Sequence, residues 1–177
     1  MRKQILYLSF IALLALFQAC SSPEEKLLKK IKALETEIYG NPEVMTNHEK
    51  IKELAFMYVD YAALMTDSLK AADYLFRAGD LSMNSGNPEH AIEMFSRIRK
   101  DYPDYVKSPE SLFLMAFVYD NYLKNYPRAE ELYSQFIDQY PDHELVDDAQ
   151  MLLQYLGMSP EDLLKVFEEK QKEQAGL

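Results

Sequence analysis

Apolar residues along most of this chain recur every three or four places. Ala91, Phe95 and Ile98 follow one another at i, i+4 and i+7, and so do Ala129, Tyr133 and Phe136. That spacing lays a single apolar stripe along an α-helix. No stretch alternates apolar with polar residues long enough to predict a strand. The breaks between stripes carry turn chemistry. Ser85-Gly86-Asn87-Pro88, Asn125-Tyr126-Pro127 and Gly157-Met158-Ser159-Pro160 each end one helix and begin another. Gly suits a helix end, and Pro suits a first helical turn. Ser159 is placed to cap the helix it precedes. The pattern predicts eight helices, over about residues 23–39, 43–64, 68–85, 88–101, 108–124, 127–139, 143–156 and 160–174.

Two of these helix pairs read as copies of one unit. Tyr102-Pro103-Asp104 returns 38 residues later as Tyr140-Pro141-Asp142. At the same offset Ala78 matches Ala116, and Leu75 matches Phe113. Leu64-Met65, followed by Thr66-Asp67-Ser68, marks an earlier and more eroded boundary of the same kind. One helical hairpin is too small to bury its own stripe, whereas stacked hairpins bury a continuous core. Small residues such as Ala78, Gly79, Ala91 and Ala129 let helices approach, and Phe95 and Tyr133 fill the space between them. The expected division is an N-terminal helical unit at 25–66, repeats at 67–105 and 106–142, and a C-terminal helical pair or cap at 143–177.

The start of the chain is of another kind. Met1-Arg2-Lys3 precedes a run of 13 residues, Ile5 to Phe17, that is apolar but for Ser9. A membrane-spanning helix needs roughly 20, while a signal peptide needs about 7–15. The run leads into Cys20, the one cysteine of the chain. Leu16-Phe17-Gln18-Ala19-Cys20 resembles the lipobox of a bacterial lipoprotein. Phe17 and Gln18 stand where the enterobacterial pattern has Leu and Ala or Ser, a looser form familiar in Bacteroidota. The resemblance implies a signal peptide at 1–19, cleaved before Cys20, lipid on the Cys20 thiol, and a short tether at 20–24. An ordinary cleaved signal and an uncleaved anchor are the alternatives. Ser21, rather than Asp, after the cysteine implies an outer-membrane destination, with the face of that membrane left open. The acidic pair Glu24-Glu25 fits a surface-export signal or, more simply, a first helical turn favoured by the helix dipole.

Composition narrows the function classes. The chain has 29 acidic residues against 19 basic, a net charge of −10. Loss of Arg2 and Lys3 makes the remainder more acidic still. Nucleic acid needs a basic face, so no nucleic-acid partner is expected. There is no Gly-rich phosphate loop and no nucleophile elbow. His48, His90 and His143 are far apart and suit a surface better than a metal site. Asp147-Asp148 suits a solvated face. No enzyme activity, cofactor, metal or small-molecule substrate is inferred.

Leu75, Ala78-Gly79, Gly86, Ala91, Phe95 and Pro103 resemble a tetratricopeptide repeat, and Phe113, Ala116, Ala129, Tyr133 and Pro141 resemble a second. Ser82 and Asp120 replace the usual Tyr late in the first helix. The 38-residue period and Tyr-Pro ends are similar to the variant repeats of envelope lipoproteins in outer-membrane barrel assembly and in the Tol–Pal system, and to short Bacteroidota lipoproteins. The resemblance implies an all-α, right-handed solenoid of about three to four hairpins. It also implies that the first helix of each pair lines a concave groove. Here that face would hold Phe76, Asp80, Met83 and Asn84 from one repeat, and Leu114, Val118, Asn121 and Tyr122 from the next. Aromatic anchors beside amides suit an extended peptide or partner helix. Packing of Phe76, Leu114 and Val118 into neighbouring helices is the competing reading. Too few Lys and Arg lie there to clamp a peptide carboxylate. The expected partner is another cell-envelope protein or peptide, with a glycan- or peptidoglycan-binding accessory role as the alternative. Near the anchor, Lys26, Lys29, Lys30 and Lys32 suit either anionic headgroups or plain helix solvation.

Overall fold

The computed structural model describes residues 22–174. Cys20 and the lipobox lie outside them. Among the described residues there are eight α-helices and no strand: α1 (Pro23–Gly40), α2 (His48–Leu64), α3 (Ser68–Asn84), α4 (Pro88–Asp101), α5 (Ser108–Asn121), α6 (Tyr126–Gln139), α7 (Val146–Gln154) and α8 (Pro160–Gln174). None of them is long and apolar enough to cross a membrane.

Local chemistry sets most of these bounds. Ser22 and Glu25 close a reciprocal capping box on α1, which gives Glu25 its place in the first turn. Asn47, Asp67 and Asn125 accept from free backbone N–H groups at the starts of α2, α3 and α6. Ser159 Oγ accepts from Asp162 N at 3.1 Å, as its position predicts. The turns inside the last three hairpins each contain a left-handed residue: Gly86 at φ 79°, Lys124 at φ 53° and Gly157 at φ 73°. Gly adopts that conformation freely, whereas Lys does not. The two Tyr-Pro ends are superimposable in backbone terms, with φ/ψ of −134°/56° at Tyr102 and −133°/57° at Tyr140.

Packing runs from each helix to the next. α1 meets α2, α2 meets α3, and so on to α7, while α8 has no comparable contact with its neighbours. The stripes expected from the repeat form the core. Ala91, Phe95, Ile98, Ala129, Tyr133 and Phe136 are all fully buried. Complete burial of one such large side chain stabilises by roughly 1.5–3 kcal/mol. Gly79 lies against Phe95, and a Cβ there would sit 2.7 Å from the ring. The fold is therefore an all-α stack of helical hairpins.

Three boundaries differ from expectation. α2 starts at His48 because Asn41 and Glu43 to Asn47 form their own turn, with Glu43 N donating to Asn41 Oδ1. α5 stops at Asn121, ahead of the left-handed Lys124. α7 is shorter than expected at both ends, spanning Val146–Gln154.

Candidate functional site

The expected groove residues separate into two groups. Phe76 and Met83 are each only 7% exposed, and Val118 is 0% exposed. These three belong to the core and are not available to a partner. Phe76 packs on Phe95 with ring centroids 5.6 Å apart, and Lys107 Nζ covers its face at 4.3 Å. Leu114 is partly covered. Asp80, Asn84, Asn121 and Tyr122 remain exposed. Asn84 Nδ2 donates to Asp80 O and Oδ1 at 3.0 and 3.3 Å, so these two are engaged with each other. Burial raises the Asp80 carboxyl, with nearby Lys107 opposing.

A polar tie links α1, α2 and α3 to the α4–α5 loop. Arg77 is its centre. Its Nε lies 3.2 Å from Asp73 and its Nη1 3.6 Å from Glu35. Tyr58 Oη donates to Glu35 at 2.6 Å, and Tyr105 Oη donates to Asp73 at 3.2 Å. The guanidinium also lies 5.5 Å from the Tyr74 ring centroid. Desolvation pushes both the Tyr58 and Tyr105 phenols up, and the adjacent carboxylates push the same way. Both phenols therefore stay neutral donors. This arrangement joins the helices, with the Arg77 and Asp73 side chains left about half exposed. The sequence signal for it is the set of Tyr and acidic residues at helical spacing.

At the other end Asn121 opens onto a cleft of about 280 Å³ that it shares with α7 and α8. Met151, Tyr155, Met158 and Phe167 line it. Met151, Met158 and Phe167 are exposed, as is Tyr122 beside Asn121. Asp120 sits at the rim, its carboxyl raised by desolvation with Lys124 opposing. Methionines and aromatics of this kind give an adaptable apolar surface with room for a side chain from another molecule. Sequence offsets reached Asn121 and Tyr122 but not the residues opposite, since the third hairpin departs from the 38-residue register.

His48 is exposed at the start of α2, whereas His90 and His143 are packed against neighbouring side chains. His90 stacks on Phe56 with centroids 4.5 Å apart, and its Nδ1 is 2.7 Å from Ser82 Oγ. His143 packs on Phe136 at 5.2 Å and its Nδ1 accepts from Leu145 N. The buried Ser82 therefore has a job in place of the usual Tyr.

A stack of hairpins with matching stripes, matching Tyr-Pro ends and left-handed turns defines a helical repeat protein. Residues 73–105 and 110–143 each match the model of the tetratricopeptide repeat family. No curated protein matches the chain. Repeats of this family serve as protein-interaction scaffolds, and they characteristically carry no catalytic machinery.

Proposed function

We propose that this chain is a non-enzymatic scaffold, held to the outer membrane by lipid on Cys20, on which another cell-envelope protein or peptide docks. Barrel assembly or envelope organisation is the setting that the lipobox and the Tyr-Pro repeats suggest. The observation that carries the docking part is the open cleft of Asn121, Met151, Met158 and Phe167, with Tyr122 exposed beside it. A scaffold surface gains most from a few desolvated anchors. Here an incoming apolar side chain would displace water from methionine and aromatic walls, and the Asn121 amide would hold the adjoining peptide backbone.

Two experiments test the two halves. A photoreactive residue at Tyr122 in the native host should capture one reproducible envelope protein, and changing Met158 and Phe167 to Ser should abolish capture. Absence of capture there removes the docking part. Cys20→Ala should release the protein from the membrane fraction and remove incorporated palmitate. Retention with label intact would refute the anchor.

A further inference from the structure

A second cleft lies where the start of α3 meets the α4–α5 loop, about 560 Å³ in volume. Its walls are chiefly apolar: Leu69 and Tyr74 on α3, Tyr105 and Val106 on the loop. Val106 is 81% exposed and Leu69 58% exposed. The internal repeat supplies a control for these two positions. The residue 38 places after Val106 is Glu144, and the residue 38 places after Leu69 is Lys107. Val106 and Glu144 hold the same place in the two Tyr-Pro loops, bare aliphatic in one and charged in the other, whereas Leu69 lies inside α3 and Lys107 precedes α5, so the control is strict for Val106 alone. The loop geometry does not require the change. Tyr105 N donates to Tyr102 O, and His143 N donates to Tyr140 O, both at 3.0 Å. A third-copy Leu145 follows Lys107 at that offset, but it is partly covered against the core, unlike Leu69.

The charges around the cleft give its occupant a sign. Asp67 is paired with Lys70, and Asp73 is held by Arg77 and Tyr105. Asp104 has no ion-pair or hydrogen-bond partner among the described residues. The cleft therefore offers two aliphatic contacts and one open carboxylate on an acidic protein. Resting on the scaffold reading above, we infer that this cleft docks a basic, apolar segment of a protein partner, with an aliphatic or aromatic side chain against Leu69 and Val106 and a Lys or Arg on Asp104.

The test uses the full chain in detergent and a phage-displayed library of random 12-residue peptides. Selection is on the unaltered protein, with counter-selection on the double variant L69K/V106E, which puts a charge at each aliphatic position. Both positions are exposed, and helical circular dichroism checks that the variant is folded. Enriched peptides should place an apolar residue within two positions of Lys or Arg. They should lose at least tenfold in affinity on L69K/V106E and about as much on Asp104→Asn. Hydrogen exchange should slow at residues 66–74 and 102–108 when such a peptide binds. No enrichment, enrichment without basic residues, or protection confined to α7 and α8 would overturn the assignment. Binding of acidic peptides, glycans or lipid vesicles at this cleft in their place would overturn it equally. Capture at Tyr122 is independent of Leu69 and Val106, so failure here and failure of the scaffold reading are separate results.

Discussion

The hairpins α3–α4 and α5–α6 share a backbone but fill it differently. In the first, Phe95 crosses Gly79 and meets Phe76 with centroids 5.6 Å apart. In the second, Phe117 stands where Gly79 would be, and Tyr133 turns to Phe113 at 5.7 Å. Leu75 and Leu114 take the places that the aromatic residues have vacated. The approach of two helices thus depends on the combined volume at the contact rather than on any one residue. The second hairpin also keeps two imperfections. Among the described residues Tyr133 Oη is buried without a hydrogen-bond partner, and Lys124 holds the left-handed turn that Gly86 holds in the first.

That comparison can be broken at its centre. Phe95→Ala should lose about 3–5 kcal/mol, since it leaves a cavity against Gly79 and Phe76. Denaturant titration followed by helical circular dichroism measures this. A loss below 1 kcal/mol would mean that the first hairpin is not a packed unit. Gly79→Ala should cost about 1–2 kcal/mol, because the new methyl meets the Phe95 ring and overpacking outweighs the gain in helix propensity. Stabilisation there would show that Phe95 is free to move.

Exchanges between the repeats sharpen the comparison. Tyr133→Phe takes the residue type of the first hairpin and should stabilise by about 1 kcal/mol, because it removes a buried hydroxyl without a partner. A lower midpoint would reveal a partner for that group, with Asp120 the nearest source of charge. Lys124→Gly should stabilise by about 0.5–1 kcal/mol by relieving the left-handed backbone. The smallest effect is in pH. Burial holds the His90 imidazole below its ordinary 6.5, with Arg97 and Lys52 adding and Glu93 opposing. The unfolded chain then takes up its proton first as pH falls. This contribution is complete above about pH 6.5 and declines below it until the folded imidazole also protonates. His90→Gln should flatten that slope, and an unchanged slope would assign it to other groups.

Elements whose ends carry Pro, Asn or Gly were legible from residues alone. α4, between Asn87-Pro88 and Tyr102-Pro103, spans 88–101 as the pattern predicts. α7 lacks such a mark at its start, α2 has two in Asn41-Pro42 and Asn47, of which the later one is its cap, and the turns ahead of both took several residues from the expected helices. The site was half legible for a related reason. A helical offset says which residues share a face, but not what covers that face. Asp80 and Val118 occupy equivalent places, yet one is exposed and the other fully buried. Their opposite polarity was the available signal that the face changes character between repeats. Lys107 lying over Phe76, and the apolar residues of α7 and α8 opposite Asn121, depend on neighbours that no single-helix pattern contains.

Because the helices from α1 to α7 pack chiefly on their neighbours in sequence, the chain can acquire structure in the order in which it is synthesised. A newly made helix finds its partner immediately behind it and does not wait for a distant segment. Such short-range topology folds quickly and leaves little time for sticky, half-built forms. It also means that damage stays local. A nick or destabilising change in α8 should unravel that end while the aromatic interior of α3 to α6 holds, so the protein fails one hairpin at a time rather than all at once.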